Sequence, residues 1–325
     1  MMPRIALLLG DPAGVGPELV AKLLADPVSR QAEITLIGNR REYEAGMEVA
    51  TLSTPLGTTA APGRPRLVEH AGSGGWQRAT ASAASGRYIF ETLRIALDLA
   101  RKGEVDAICV APLNKTSLHL AGMTHEDELR WFAAELGFTG PTSELNVLDE
   151  LWTSRVTSHV PHKDVAGLLT REKIVGAIDL LASSLLAAGK QHPRIAVAGL
   201  NPHAGDNGNF GREEIDIIAP AVAAAKPAGC TVSGPYPADT VFVRAKAGEF
   251  DAVVTMYHDQ GQIAMKLMGF DRGVTVQGGL PLPVATPAHG TAFDIVGRNK
   301  ANPGAMRNAF LIACRMGSAK AKAAA

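Results

Sequence analysis

Three of the nine histidines follow runs of residues that have the composition of buried β-strands. His159 lies in RVTSHVP, His203 in IAVAGLNPHAG and His258 in DAVVTMYHDQG, and each enters a segment that contains proline or glycine. Because ligands of parallel α/β sheets bind at the carboxyl ends of strands, these imidazoles could converge on one divalent metal ion. The alternative for each of them is a hydrogen-bonded loop residue, and their spacing along the chain is compatible with both interpretations.

The same kind of loop carries other groups that can move protons. Asp259 directly follows His258, and Asp239 lies in GPYPADT after a stretch with proline and glycine. A carboxylate in such a loop can act as a base or orient a neighbouring group, although Asp239 could equally cap the next helical segment. Lys115, in APLNKTS after another apolar run, fits a proton donor or an anion contact.

Strands and helices must position these side chains, and the apolar patterns of the sequence predict both kinds of element. Short apolar runs predict strands at residues 5–9, 34–37, 107–110, 195–198, 252–256 and 274–276. Longer helical patterns lie at residues 18–24, 79–101, 126–136, 171–188 and 212–225, and residues 54–75 have the composition of an irregular surface stretch. Continuous Val/Ile/Ala strands that alternate with helices predict an α/β protein with a largely parallel sheet covered on both faces.

Composition excludes several classes of protein. A chain of 325 residues with 46% hydrophobic and 20% charged residues is typical of a globular protein with two lobes or one large α/β unit. The 32 basic and 32 acidic residues balance, which predicts that neither nucleic acid nor an anionic membrane is a partner. Cys109, Cys230 and Cys314 are odd in number and far apart, which favours reduced thiols in a cytoplasmic protein. We expect no signal peptide and no membrane span, since no uncharged apolar run reaches the required ~18 residues.

The glycine-rich stretch GDPAGVGPELV, residues 10–20, has some features of a dinucleotide-binding loop. It lacks the third glycine of that fingerprint, Pro17 has no backbone N–H to offer a pyrophosphate, and no acidic residue follows a second strand about twenty positions on. The loop therefore predicts a tight turn at the edge of a cofactor site. Asp11 and Glu18 are expected either to face that site or to cap the turn.

Long motifs in order along the chain identify a family. The segment HGTAFDIVGRNKANPGAM, residues 289–306, resembles the adenosine-binding segment of isocitrate and isopropylmalate dehydrogenases, and GDPAGVGPE resembles their early Gly-Asp-Gly-x-Gly-Pro-Glu loop. With NPHAG, GPYPADT, MYHDQG and Lys266 in MKLMGF, the chain is identified as a member of the 4-hydroxythreonine-4-phosphate dehydrogenase family of that superfamily, from about residue 5 to residue 316.

The resemblance implies an isocitrate/isopropylmalate dehydrogenase-like fold, with two α/β/α lobes and an active-site cleft between them. We expect a cofactor-side lobe from residues 1–128 and 285–325, and a metal, substrate and dimerisation lobe from residues 129–284. The resemblance also implies a homodimer with its active site at the subunit interface. The divalent metal would be held by His159, His203 and His258, one of them lent by the partner subunit. Imidazole ligands are compatible with Zn, Co, Ni and Mn, and more weakly with Mg.

The implied reaction is the NAD(P)-linked oxidation of a secondary alcohol to a β-keto acid that loses CO2. A bound metal would lower the hydroxyl pKa and stabilise the negative charge that decarboxylation leaves. Lys266 matches a substrate-contacting lysine. The expected cofactor contacts are His289, Gly290, Thr291, Asp294 and Asn302. A carboxylate at Asp294 accepts hydrogen bonds from ribose hydroxyls and repels a 2′-phosphate, which predicts NAD, with NADP as the alternative.

The substrate end of the chain departs from the family pattern. Members that act on the phosphorylated substrate carry a Gly-His-Thr-Glu segment and an arginine after a Gly-Leu-Pro turn. The first region here reads THEDELRWFAA, the arginine position falls on Val284, and an expected asparagine is Thr275. The acidic residues Glu126, Asp127 and Glu128 would repel a phosphate dianion. Arg130, Arg272 or a partner residue are the cations that could rebuild a phosphate site.

We therefore expect a non-phosphorylated substrate, such as the aromatic cis-dihydrodiol carboxylate terephthalate dihydrodiol, with Leu282, Val284 and Trp131 against a flat apolar ring. The alternative is the 4-hydroxythreonine-4-phosphate dehydrogenase reaction of pyridoxal phosphate biosynthesis.

Two other classes of protein compete with a dehydrogenase. A three-histidine metallohydrolase would have no use for the HGTAFD segment. A non-catalytic binding protein would have no reason to retain Lys266 and Asp294 beside the three histidines.

Overall fold

The structure is a computed structural model that describes residues 2–323, apart from the side chains of Phe270 and Ala323. The chain divides into two compact units. Unit 1 comprises Met1–Thr139, Val274–Val276 and Leu280–Ala325, and unit 2 comprises Gly140–Gly273 and Gln277–Gly279. The lobe boundaries expected from the sequence, 128/129 and 284/285, stay a prediction.

Strands and helices alternate along most of the described chain. The strands are β1 (Arg4–Leu8), β2 (Glu33–Gly38), β3 (Arg66–Glu69), β4 (Ala107–Val110), β5 (Ser143–Leu148), β6 (Leu151–Arg155), β7 (Arg194–Ala198), β8 (Thr231–Tyr236), β9 (Ala252–Thr255), β10 (Val274–Gly278) and β11 (Val284–Pro287). The α-helices are α1 (Gly16–Ala25), α2 (Arg40–Ala50), α3 (Ala83–Arg101), α4 (Lys115–Leu120), α5 (Glu128–Glu135), α6 (Val165–Leu168), α7 (Arg171–Ala187), α8 (Ala219–Ala224), α9 (Ala238–Lys246), α10 (His258–Gly269) and α11 (Gly304–Ala323).

The sheet of unit 1 has the strand order β3-β2-β1-β4-β11-β10, and its pairs are parallel except for β11 with β10. Helix α3 begins at the N-cap Ser82, whose side chain accepts a hydrogen bond from the backbone N–H of Ser85. Its residues Ile89, Leu93 and Leu97 recur every four positions and are fully buried against the strands. This spacing explains why the sequence pattern located α3 correctly.

The sheet of unit 2 has the strand order β5-β6-β9-β7-β8, with one antiparallel pair, β5 with β6. The three central strands are parallel, and β9 lies between β6 and β7. Strand β9 consists of Ala252, Val253, Val254 and Thr255, and all four residues are buried. A strand that is buried on both faces has no polar alternation, which is why it reads as a continuous apolar run.

The predicted α/β class with a largely parallel sheet is confirmed, and all six predicted strands exist. Five strands were missed: β3, β5, β6, β8 and β11. Strand β3 lies inside the stretch predicted to be irregular, and β8 contains glycine and proline. Both are terminal strands in the order of their sheets, where burial imposes no strong apolar pattern.

Two further features bear on sequence-based expectations. Cys109, Cys230 and Cys314 are all free, as their spacing predicts. Within residues 2–323, we find no helix that combines the length and the apolar character needed to cross a membrane.

Candidate functional site

The three predicted metal ligands follow the carboxyl ends of three neighbouring parallel strands in unit 2. His159 comes four residues after β6, His258 is the first residue of α10 and comes three residues after β9, and His203 comes five residues after β7. Because β9 pairs with both β6 and β7, the three loops leave the same edge of the sheet. The chain topology therefore places all three histidines where parallel sheets bind ligands.

His159 and His258 are close together. Their ring centroids lie 5.9 Å apart, with 48° between the ring planes. A metal–nitrogen distance of about 2.0–2.1 Å places the centroids of two ligating imidazoles about 5–6 Å apart. The separation of this pair fits two ligands of one ion.

Asp259 orients the ring of His258. Its Oδ1 lies 2.6 Å from Nδ1 of His258, so Nε2 is the ring nitrogen that can bind a metal. The hydrogen bond with His258 lowers the pKa of the Asp259 carboxyl. A carboxylate that holds the far side of a ligating imidazole is a common partner in metal sites, and this role differs from the catalytic one predicted from the sequence.

His203 lies in a loop with an unusual backbone. The five residues 203–207 all have φ between 42° and 81°, the left-handed region, and Gly205 is the one glycine among them. Each non-glycine residue in this region costs about 1–2 kcal/mol, so the loop needs support from its surroundings. The ring of His203 packs on Phe210 at a centroid distance of 6.0 Å.

The buried carboxylate of Glu214 supplies that support. Its Oε1 accepts hydrogen bonds from the backbone N–H groups of Leu200 and Asn201, both at 2.7 Å, and its Oε2 accepts one from Nδ2 of Asn201 at 2.9 Å. Glu214 is only 3% exposed. Sequence reasoning missed this residue because it lies eleven positions beyond His203, inside a helical pattern.

Within one chain the three histidines do not form a closed set of ligands. Their ring nitrogens do not all lie within 4.8 Å of one another, although every one of these side chains belongs to the described residues. His159 and His258 are brought together, and His203 is placed on the adjacent loop without joining them.

Asp239 and Lys266 are the other predicted catalytic residues of unit 2, and both are exposed. Asp239 is the second residue of α9, a helix without a side-chain cap, so the predicted alternative of N-capping is wrong. Lys266 lies two turns beyond His258 on α10, and its charge contributes to the lowered pKa of the Asp259 carboxyl after the larger effect of the His258 hydrogen bond.

In unit 1, Lys115 is the first residue of α4, directly after the β4 loop. Its side chain is 63% exposed, and its Nζ lies 3.9 Å from Oε2 of Glu128. Asp127 is the N-cap of α5 and accepts a hydrogen bond from the backbone N–H of Arg130 at 2.8 Å. Asp127 and Glu128 therefore each have a partner, which weakens the predicted repulsion of a phosphate.

The predicted cofactor segment packs on the glycine-rich loop of the same unit. The carbonyl of Thr291 accepts a hydrogen bond from Val15 N–H at 3.1 Å, and its Oγ1 accepts one from Nδ2 of Asn114 at 3.2 Å. A Cβ on Gly14 would lie 2.8 Å from Cβ of Thr291, so only glycine permits this approach. The loop lies beside the predicted cofactor segment, as its sequence suggests.

The other predicted cofactor contacts lie around Thr291. Gly290 and Asp294 are exposed, and His289 is half-buried with its Nδ1 2.9 Å from the carbonyl of Gly290. Asn302 accepts a hydrogen bond from Gly304 N–H at 2.9 Å and forms an Asx turn just before α11. This observed bond gives Asn302 a structural role beside the predicted cofactor contact.

Asp11 stabilises the turn, whereas Glu18 joins α1 to the segment before α11. Buried Asp11 accepts hydrogen bonds from Ala13 N–H (2.8 Å) and the Ser117 hydroxyl (3.2 Å), and its burial raises the pKa of the carboxyl despite them. Glu18 accepts hydrogen bonds from Lys22 and from the backbone N–H of Ala301, both at 2.8 Å. Asp11 therefore has the predicted capping role, and Glu18 has bonds to α1 and to residue 301 in place of a cap on the turn.

The residues expected to contact a flat apolar substrate lie in the hydrophobic core of unit 1. Leu282, Val284 and Trp131 are 2%, 1% and 5% exposed and pack in the same cluster as α3. Val284 is the first residue of β11, not a loop residue. The expected aromatic contact is therefore wrong, since these side chains are already covered by the protein's own apolar groups.

Comparison with known proteins gives the same family throughout the chain. The family model described as "Pyridoxal phosphate biosynthetic protein PdxA" matches residues 29–313. A Pseudomonas aeruginosa protein, provisionally named 4-hydroxythreonine-4-phosphate dehydrogenase 2, is 58% identical over 98% of both chains. The D-threonate 4-phosphate dehydrogenase of Pectobacterium atrosepticum is 37% identical over 97% of this chain and 100% of that protein. A crystal structure of the Klebsiella pneumoniae 4-hydroxythreonine-4-phosphate dehydrogenase has a TM-score of 0.84 and 35% identity, with 98% of both chains covered.

These similarities overturn the expected non-phosphorylated substrate. A terephthalate 1,2-cis-dihydrodiol dehydrogenase from Burkholderia xenovorans is also similar, but it is 28% identical with a TM-score of 0.69, over 96% of this chain and 98% of that one. Relatives at 46–58% identity carry the name of the phosphorylated substrate. The preference for a dihydrodiol was wrong because it depended on Val284, a core residue, and on acidic residues that have partners.

Proposed function

This chain belongs to the family of the pyridoxal phosphate biosynthetic protein PdxA and is an oxidoreductase, and we propose that it oxidises 4-hydroxythreonine 4-phosphate with NAD. The observation that carries the proposal is the 58% identity, over 98% of both chains, to a relative with that name. The predicted fold class, shared with the Klebsiella pneumoniae enzyme, supports it.

The chemistry of this substrate suits the side chains of the site. It carries a secondary hydroxyl at C3, a carboxylate at C1 and a phosphate at C4. Oxidation at C3 transfers a hydride to NAD and a proton to the protein, and leaves a β-keto acid. Cleavage of the bond between C1 and C2 then releases CO2. The C3 hydroxyl and the carboxylate can bind one divalent cation together.

We assign the metal to His159, His203 and His258. The donor set fits, since two of these rings have the spacing of shared ligands and Asp259 fixes the ring orientation of His258. When bound, a divalent ion polarises the substrate oxygens and stabilises the negative charge that decarboxylation produces. Zn, Co, Ni and Mn all accept imidazole nitrogen, and Mg does so more weakly.

The remaining polar residues of the proposed site contact the substrate and its phosphate. Lys266, Asp239 and Lys115 are exposed on the first turns or outer faces of helices, where they can reach a small substrate. We assign Lys266 to contact with the substrate, and Lys115 and Arg130 to the phosphate, because Lys115 begins α4 before the acidic residues 126–128 and Arg130 lies on α5 just after them. Phosphate bound by lysine or arginine makes strong, charge-assisted hydrogen bonds.

We assign NAD to the segment that contains His289, Gly290, Thr291, Asp294 and Asn302. The exposed carboxylate of Asp294 is able to accept hydrogen bonds from the adenosine ribose, and its charge disfavours the 2′-phosphate of NADP.

We further propose a homodimer in which the partner subunit completes the metal site. The separation of His203 from the other two histidines in one chain supports a ligand from elsewhere. Helix α10, which begins at His258, also exposes Ile263 and Leu267, one turn apart, at 60% and 84%. An apolar stripe of this kind is typical of a surface that another subunit covers.

The test is NAD reduction, followed at its near-UV absorbance, with 4-hydroxythreonine 4-phosphate and with unphosphorylated 4-hydroxythreonine. We expect metal-dependent turnover, CO2 release, and a kcat/KM about 100-fold higher for the phosphorylated compound, because phosphate adds charge-assisted hydrogen bonds worth about 3 kcal/mol. Equal rates with both compounds, or none with the phosphorylated one, would refute the proposal.

D-threonate 4-phosphate is the second candidate substrate, favoured by the 37% identity to an enzyme named for it. It has the same C3 hydroxyl and C4 phosphate, and differs at C2, where it carries a hydroxyl in place of the amine. The same assay with this compound decides between the two substrates by the ratio of their kcat/KM values.

A further inference from the structure

A chain of hydrogen bonds joins the three histidine loops of unit 2, and the peptide groups of Met256 lie at its centre. The carbonyl oxygen of Met256 accepts hydrogen bonds from the backbone N–H of Thr157 at 3.1 Å and from its hydroxyl at 2.8 Å. Thr157 precedes His159 by two residues, and Met256 precedes His258 by two. The backbone positions just before these two histidines are therefore bound to each other.

The side chain of Gln260 extends the chain of hydrogen bonds to the third loop. Its Oε1 accepts a hydrogen bond from Met256 N–H at 2.7 Å, and its Nε2 donates one to the carbonyl of Gly199 at 2.8 Å. Gly199 directly follows β7 and begins the loop that carries His203. One amide side chain thus connects the starts of the His258 and His203 loops.

Capping of α10 explains only one of the two hydrogen bonds of the Gln260 side chain. Gln260 is the third residue of the helix, and a glutamine there often reaches back to a backbone N–H just before the helix. That role explains the bond to Met256 but not the bond to Gly199, which lies 61 residues away. Both backbone groups are buried, so without the amide each would lack a partner.

We propose that Gln260 is a positioning residue, which sets the spacing of the three histidine loops and thereby the affinity and geometry of the metal site. The inference rests on the proposed function, since it takes the three histidines to be metal ligands. Gln260 does not contact the metal. It acts through the backbone that carries the ligands, as outer-shell residues of metal sites do.

The experiment compares two substitutions of Gln260 with a matched control on the same helix. Gln260→Ala removes both hydrogen bonds, and Gln260→Glu keeps the acceptor for Met256 but places an oxygen against the carbonyl of Gly199. The control is Gln262→Ala, because Nε2 of Gln262 donates to Asn146 on β5 at 2.5 Å and not to a histidine loop. The probe is Co²⁺, titrated into the metal-free dimer against a chromogenic chelator and followed by its visible absorption spectrum. Amide hydrogen exchange of residues 199–208 is measured without metal.

We expect both Gln260 variants to bind Co²⁺ about ten-fold more weakly, with an altered absorption spectrum and faster exchange in residues 199–208. Gln262→Ala should match the wild type in all three measurements. Unchanged Co²⁺ affinity, spectrum and exchange in Gln260→Ala would overturn the positioning role of Gln260 but not the metal site. An equal loss of Co²⁺ affinity in Gln262→Ala would do the same. A wild type that binds no Co²⁺ would overturn the metal site itself, and this inference with it.

Discussion

Asp259 Oδ1 lies 2.6 Å from His258 Nδ1, on the side of the ring opposite the nitrogen assigned to the metal. A carboxylate in this position raises the basicity of the ligating nitrogen and fixes the tautomer of the ring. Asp259→Asn keeps the shape of the side chain but removes its charge. We expect about ten-fold weaker binding of a divalent metal by the variant, measured by competition with a chromogenic chelator. Asp271→Asn removes an exposed carboxylate near the end of unit 2 and should leave the affinity unchanged. Equal affinities for the Asp259 variant and the wild type would contradict this prediction.

His203→Ala should abolish turnover while leaving the fold and the dimer intact. The loss of one of the three proposed ligands would remove the charge stabilisation that a bound metal supplies, and we expect kcat to fall by at least about 10³-fold. His192→Ala is a matched control, because His192 is an exposed loop residue of the same unit and also has a positive φ of 49°. Steady-state kinetics with saturating metal give the comparison, and circular dichroism checks the fold. Activity close to the wild-type value in His203→Ala, or in the wild type after exhaustive chelation, would rule out a catalytic metal.

The sequence predicted which loops follow the buried parallel strands of unit 2, because such strands have a clear apolar pattern. The apolar runs of β7 and β9 correctly predicted the strands that precede the loops of His203 and His258. The two loops are neighbours because β9 pairs with β7 in the sheet. The sequence could not place Val284, since an apolar residue after a Gly-Leu-Pro turn fits a loop and a strand equally well. Its place in the core is decided by packing against elements that are far away along the chain.

The supporting residues of the site were missed for a related reason. Glu214 and Gln260 act through hydrogen bonds from a side chain to the backbone of a distant loop, and such bonds have no sequence spacing of their own. One regularity was readable: Gly-Glu-x-Asp-Ala occurs at residues 103–107 and again at 248–252. In each unit its aspartate binds the arginine that begins the neighbouring strand, Asp106 with Arg4 and Asp251 with Arg194.

Gly14→Ala tests whether the glycine-rich loop positions the cofactor segment. The added Cβ would lie 2.8 Å from Cβ of Thr291, so the loop and the segment must move apart. Overpacking of this kind costs about 1–3 kcal/mol, and we expect the KM for NAD to rise about ten-fold. Gly176→Ala on α7 is the control, since its Cβ would meet no atom within 4 Å and alanine favours a helix. A KM for NAD within two-fold of the wild-type value in Gly14→Ala would show that the contact does not position the cofactor.

Asp251 makes unit 2 sensitive to acid. Burial raises the pKa of its carboxyl, but hydrogen bonds from Arg194 and from Lys190 outweigh that effect and lower the pKa to about 2. An unfolded aspartate has a pKa of about 3.9, so the charged form stabilises the folded state above that pH, and this stabilisation is lost as the pH falls towards 2.

Asp251→Asn should therefore lower the free energy of unfolding by about 2 kcal/mol at pH 7, and the difference from the wild type should shrink between about pH 4 and pH 2. Urea unfolding at several pH values, followed by circular dichroism, measures both effects. Asp216→Asn is the control, because Asp216 also pairs with an arginine but its side chain is 51% exposed. An exposed pair of this kind contributes only about 0.3–0.5 kcal/mol. A difference between Asp251→Asn and the wild type that stays constant down to pH 2 would show that the charge of Asp251 is not the source of the stabilisation.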